Sequence, residues 1–198
     1  MSATLTEEIA ATAARLVVDE GMEYGPAKRK AARLLGKHRT RPAELPSNEA
    51  LEDEVRAHID LFHADTQPAE LAALRRIAAE WMHRLAALRP HLTGAVWRGT
   101  ATRLSSVHLQ LYCDDSKQAE IALIDLGVGY DVGSHTGPRG EDIDVLTVAS
   151  RSHELGETVT VHLSVLDHDD LRGALKPDAR GLTLRGDLAA LRRLEDTK

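Results

Sequence analysis

The hydrophobic period of this chain changes once, at Pro90, and that change limits the fold more than any other feature. Before it, apolar residues recur every three or four positions, as on one face of a helix. The longest series is Leu71, Leu74, Ala78, Trp81, Met82, Leu85 and Leu88. After it they alternate: Val107, Leu109 and Leu111 face one way and His108, Gln110 and Tyr112 the other, as in a strand with one buried face. Two such patterns in separate halves imply an α/β (α+β) fold, with a helical region over 1–90 and a sheet-containing domain over 91–198.

The first half reads as four helices. One covers 5–19, with Leu5, Ile9, Ala13 and Leu16 on one face, Thr4 or Thr6 as its cap and Gly21 as its stop. A short second helix covers 26–35, and a third follows Ser47 or Asn48 with Leu51, Val55, His58, Ile59 and Phe62 along one side. The fourth covers 67–88. In the second half, strands are expected at 107–112, 142–150 and 157–166. Helices are expected after Asp114 or Asp115, at 170–176, and after Asp187. The glycine-rich stretch 127–140 reads as a mobile loop or one that approaches a ligand closely. VHLQLYCDD at 107 and VHLSVLDHDD at 161 echo each other, and side by side they bring His108 and His162 onto one polar sheet face.

Composition removes several function classes. With 198 residues, 42% of them hydrophobic, the chain buries a real core. Lys and Arg number 25 against 31 Asp and Glu, and a net charge of −6 argues against nucleic acid or an anionic membrane as a bulk partner. The basic stretch from Lys28 to Arg41 is followed by an acidic one from Glu44 to Asp65; these read as two solvated helix faces of opposite sign that attract each other or a protein partner or second copy of the chain, with a phosphate-binding face as the alternative for the basic stretch. Cys113 stands alone, so no internal disulfide forms; with no basic leader and no apolar run of the roughly 18 residues a membrane span needs, a cytoplasmic protein is expected. His58, His63 and His83 lie on helix faces without an HExxH pair and read as packed side chains. Neither GxxxxGK[ST] nor GxGxxG nor GxSxG occurs. Arg76 to His83 and Arg33 to His38 match the loose Arg-to-His spacing of HEPN ribonucleases, a spacing that ten histidines produce readily by chance.

The stretch joining the two halves, GAVWRGTATRLSSVHL from Gly94 to Leu109, carries the most specific signal. It resembles the small nucleotidyltransferases of the polymerase-beta-like superfamily, whose pattern is a strand, Gly-Ser, an Arg-Gly-rich turn, and Ser-Asp-x-Asp on the next strand. With the first glycine on Gly94, the turn falls on Arg98, Gly99, Thr100, Ala101 and Thr102, the motif serine on Ser105, and the two carboxylate positions on Ser106 and His108. A third carboxylate position, at the start of a later strand, matches Asp144 in Ile143-Asp144-Val145-Leu146. The match covers about 92–150 and leaves the N-terminal helices out.

The resemblance implies a nucleotidyltransferase-like mixed sheet with flanking helices, on which the helical region packs. It implies nucleotide contacts from Gly94, Arg98, Gly99 and Thr100, catalytic positions at Ser106, His108 and Asp144, and Mg²⁺ or Mn²⁺ on Asp144 and His108. The departures bear on the reaction. Nucleotidyl transfer needs divalent metal on carboxylate oxygens, and serine and imidazole in those positions are poor ligands for a hard cation. The expectation is therefore a degenerate member, a pseudoenzyme that binds a nucleotide or a protein partner without efficient catalysis. The alternative is an active metal-dependent enzyme moving a nucleoside monophosphate from a triphosphate to an acceptor.

Overall fold

The structure, a computed structural model, describes residues 4–37, 41–178 and 180–196. His38 and Arg39 of the basic stretch lie outside them. The chain forms two compact units, Met1–Glu70 with Thr100–Ser105, and Leu71–Gly99 with Ser106–Lys198.

The first unit is helical. Thr4 opens α1 (Leu5–Glu20) with a reciprocal cap: the Glu7 N–H donates to the Thr4 hydroxyl at 3.3 Å, and the Thr4 N–H donates to the Glu7 carboxylate at 2.6 Å. Gly21 ends the helix at φ 68, where a Cβ would also lie 2.7 Å from the Leu104 carbonyl oxygen. Both the left-handed turn and the close passage of the 100–105 segment require glycine there. The second helix, α2 (Tyr24–Leu34), starts two residues before the expected point, and α3 (Asn48–Phe62) is capped by the Ser47 hydroxyl, which accepts the Ala50 N–H at 3.1 Å. Ile9, Ala13 and Val17 of α1 meet Ala27 and Ala31 of α2 and Leu51, Val55 and Ile59 of α3 in one apolar cluster. Part of the basic stretch is used within this unit. Lys28 donates to the Pro46 carbonyl at 2.9 Å and to Asn48 Oδ1 at 2.8 Å, and Lys30 pairs with Glu20 at 2.5 Å.

The helix α4 (Gln67–Arg84) begins in the first unit and continues into the second. Its expected last turn tightens into a 3-10 turn at Ala86–Leu88, and Arg89, at φ 48, redirects the chain into the first strand. The second unit is built on a six-stranded mixed sheet: β1 (His91–Thr93), β2 (Val107–Cys113), β3 (Asp131–Thr136), β4 (Asp142–Ser152), β5 (Glu157–Asp167) and β6 (Arg185–Gly186), in spatial order β3-β4-β5-β2-β1-β6. β2 and β5 pair in parallel and the other neighbours are antiparallel. The two echoed segments are this parallel pair, with His108 abreast of His162. One face carries Leu92, Val107, Leu109, Leu111, Leu146, Val148, Val161, Leu163 and Val165, all buried. The remaining helices are α5 (Gly94–Arg98), α6 (Lys117–Asp125) and α7 (Leu188–Asp196), the last capped by Asp187, whose carboxylate accepts the Ala190 N–H at 2.8 Å.

Two expectations about this half are corrected. The stretch 127–140 contains β3, an outermost strand with every residue exposed, so no apolar alternation marks it. The helix expected at 170–176 is a 3-10 turn, His168–Leu171, and Gly173 at φ 80 then turns the chain away from helical geometry.

Two interactions give measurable consequences. Trp97 is buried beneath β6 and donates its indole N–H to the Thr183 carbonyl at 2.8 Å; a Cβ at Gly186 would stand 2.1 Å from its ring. Gly186→Ala is expected to lower stability by about 1–3 kcal/mol through overpacking, with Trp97→Leu in the same chain recovering part of the loss, as read by urea denaturation. An unchanged midpoint in Gly186→Ala would show that the ring is not held there. Cys113 at the end of β2 is buried, and burial first, then the neighbouring Asp115, Asp114 and Asp167, raise its thiol pKa. The folded thiol therefore keeps its proton to higher pH than the unfolded one, and native stability should fall as pH rises through the ordinary thiol range near 8.5. Ellman's reagent at pH 8 should react slowly with native protein and quickly in urea; equal rates would contradict the burial.

Candidate functional site

The sheet's second face is where the chemistry collects. Strand alternation puts one set of side chains on the buried face and the other set here, and the register then aligns them across the sheet. One transverse row takes a polar residue from every strand: Asp131 opposite Thr147, Thr147 opposite His162, His162 abreast of His108, His108 opposite Thr93, and Thr93 opposite Arg185. At its centre the rings of His108 and His162 stack with centroids 4.9 Å apart. His162 Nδ1 lies 3.1 Å from the Thr147 hydroxyl, and Thr93 donates its hydroxyl proton to the Leu184 carbonyl at 2.9 Å.

Arg185 supplies a guanidinium at the β6 end of the row. Its Nη1 donates to Gln110 Oε1 at 2.7 Å and to the Tyr112 hydroxyl at 3.0 Å, and Tyr112 donates to the same Gln110 oxygen at 3.0 Å. His91 meets the Tyr112 ring edge-on at 5.3 Å. Arg185 Nε is buried and has no hydrogen-bond partner among the described residues, so part of the guanidinium's donor capacity is unspent. Sequence reasoning passed over this residue because a two-residue strand carries no period to detect.

The residues expected from sequence distribute unevenly. Ser106 immediately precedes β2 and is half-buried, and His108 lies in the central row. Gly94, at φ 73, opens α5 beside His108; a Cβ there would lie 3.7 Å from His108 Cδ2, so the positive φ, rather than crowding, calls for glycine. Gly99, at φ 82, closes α5. Arg75, buried on α4, supports that helix end by donating to the Val96 and Trp97 carbonyls at 3.3 and 3.4 Å, and desolvation lowers its pKa against the attraction of Glu195. Arg98 pairs with Asp178 at 3.7 Å. Asp178 in turn accepts the Leu182 and Arg180 N–H groups, and those backbone bonds, with Arg98, hold its carboxyl below the usual carboxylate range. Thr100 belongs to the first unit, where its side chain is buried. The segment that follows is tied down there: Gln67 donates to the Ala101 carbonyl at 2.9 Å, Thr102 to the Val18 carbonyl at 3.4 Å, and the Arg103 N–H to Glu70 at 2.9 Å.

Asp144 does not meet His108. On β4 it is three residues from Thr147, the residue abreast of His162, and alternation sends it to the opposite face, where it is exposed. The strand positions of the polar face contain one acid, Asp131, two strand spacings or about 9–10 Å from His162. Imidazole, hydroxyl, amide and guanidinium groups do not make a Mg²⁺ or Mn²⁺ site, which requires clustered oxygen donors with negative charge. The donor set instead suits an anion.

No protein-family model matches this chain, and no curated protein matches it in sequence. Among solved structures, it is similar to Cid1 poly(U) polymerase, with 17% identity over 56% of this chain and 37% of that one and a TM-score of 0.36. Cid1 in complex with a UTP analogue matches with 16% identity over 48% of this chain and 30% of that one, at a TM-score of 0.34. A cytoplasmic RNA terminal U-transferase matches with 18% identity over 48% and 30%, also at 0.34. This chain spans roughly a third of the length of those structures.

Proposed function

We propose that this chain is a nucleotidyltransferase-like protein that has kept a phosphate-holding face and lost the metal-holding one, so that it binds a nucleotide without efficient metal-dependent transfer. The observation that carries the reading is the central row: two stacked imidazoles and Arg185 share one face, while Asp144 turns to the other. The motif from Gly94 to His108 supports it from the sequence side. A guanidinium whose partners are the neutral Gln110 and Tyr112 keeps its positive charge uncompensated, and a triphosphate offers the opposite charge. Imidazoles and hydroxyls in the same row add donors to phosphate oxygens. Mg²⁺ has no step in this reading.

Isothermal titration with a nucleoside triphosphate and with inorganic tripolyphosphate tests it, each with and without Mg²⁺. Binding is expected without metal, weakened at least about tenfold, or about 1.4 kcal/mol, in Arg185→Met and in His162→Gln. No pyrophosphate release is expected. Metal-dependent pyrophosphate release that disappears in Asp144→Ala would establish the active transferase instead. Absence of binding under every condition would reject a nucleotide ligand and leave a protein partner as the ligand class.

A further inference from the structure

We infer that Asp19, His58 and His63 form a binding site for one borderline divalent cation of the Zn²⁺ type, with at least one coordination position open to solvent. The site lies wholly in the first unit and is independent of the nucleotide reading. Asp19 is in the last turn of α1, His58 is near the end of α3, and His63 is the residue that closes α3. Five residues apart on a continuous helix, His58 and His63 would point about 140° apart. The helix ends at Phe62, however, and His63 takes φ −131 and ψ 12, which returns its ring to the side of His58.

The resulting geometry is that of a three-ligand set. His58 Nε2 and His63 Nε2 lie 3.3 and 3.2 Å from the same oxygen, Asp19 Oδ1. One donor atom from each of the three side chains lies within 4.8 Å of the others. The two nitrogen-to-oxygen distances lie at and just beyond the long end of the usual N–H···O range of about 2.7–3.2 Å. They approach the edge of a tetrahedron around an ion with bonds of 2.0–2.1 Å, which is about 3.3–3.4 Å. The carboxylate meets no lysine or arginine at salt-bridge distance among the described residues. The three side chains are 17%, 32% and 40% exposed, which admits an ion and leaves water room to complete its coordination.

The donor chemistry selects the ion. Two neutral imidazoles and one carboxylate suit Zn²⁺ and its neighbours, and recur in zinc sites that retain a bound water. A single carboxylate is too few for Ca²⁺ or Mg²⁺, which require oxygen-rich shells. The site also explains how side chains that read as packed histidines in the sequence share one carboxylate in the fold.

Titration of the full chain with Zn²⁺, followed by calorimetry and by the visible absorption of Co²⁺ in its place, tests the assignment. One ion per chain is expected, with a Co²⁺ spectrum of low coordination number and no competition from Mg²⁺. Asp19→Asn, His58→Gln and His63→Gln should each weaken Zn²⁺ binding at least about tenfold, while His108→Gln binds as the wild type. Circular dichroism without metal checks that each variant is folded, and the wild-type Co²⁺ spectrum needs no variant. Six-coordinate, water-like Co²⁺ absorption in the wild type would overturn the site, as would Zn²⁺ binding lost in His108→Gln but kept in His58→Gln and His63→Gln.

Discussion

The parallel pairing of β2 with β5 is the constraint on which the second unit depends. Parallel neighbours cannot be joined by a hairpin, so the chain between them must make a crossover. Here α6, β3 and β4 fill it, and β4 returns antiparallel onto β5. The remaining strands are added outward from this pair, β4 and β3 on one side and β1 and β6 on the other. Because the two central strands carry nearly the same pattern, they build two faces of opposite character in one step. Val107, Leu109 and Leu111 join Val161, Leu163 and Val165 on the dry face, and the imidazoles take the other.

The chemistry of the polar face follows from which charges are missing. A cluster of carboxylates would bind a hard cation and, without it, would repel phosphate. A face of imidazole, hydroxyl and amide groups carries neither that cation affinity nor that repulsion. Arg185 is held in place by Gln110 and Tyr112 rather than by an acid. Arg98 is paired with Asp178, whose carboxylate also accepts the Leu182 and Arg180 N–H groups.

Much of this was legible in the residues. Thr4, Ser47 and Asp187 cap helices where their positions suggested, and the alternation at 107–112 and 157–166 marks the two central strands and the facing histidines. What stayed hidden has physical causes. β3 is exposed on both faces and β6 has two residues, so neither leaves a period to read. Asp144 sits in a strand-like context that matches the family motif, but its face is decided by the pairing of Leu146 with Leu163, a contact between strands. The convergence of His58 and His63 depends on the residue at which α3 stops, and the helical period of that segment gives each ring its own direction.

The transverse row has one further consequence. Each strand supplies a single residue to it, and side chains alternate strictly along a strand. A shift of β2 by one residue relative to β5 would therefore place Leu109 where His108 stands and turn the histidine into the apolar layer. The two central strands thus have no neighbouring alignment that keeps the same chemistry at reduced strength. For this protein, assembling the polar face and choosing the correct strand alignment are one event, and a misaligned chain forfeits core and surface together.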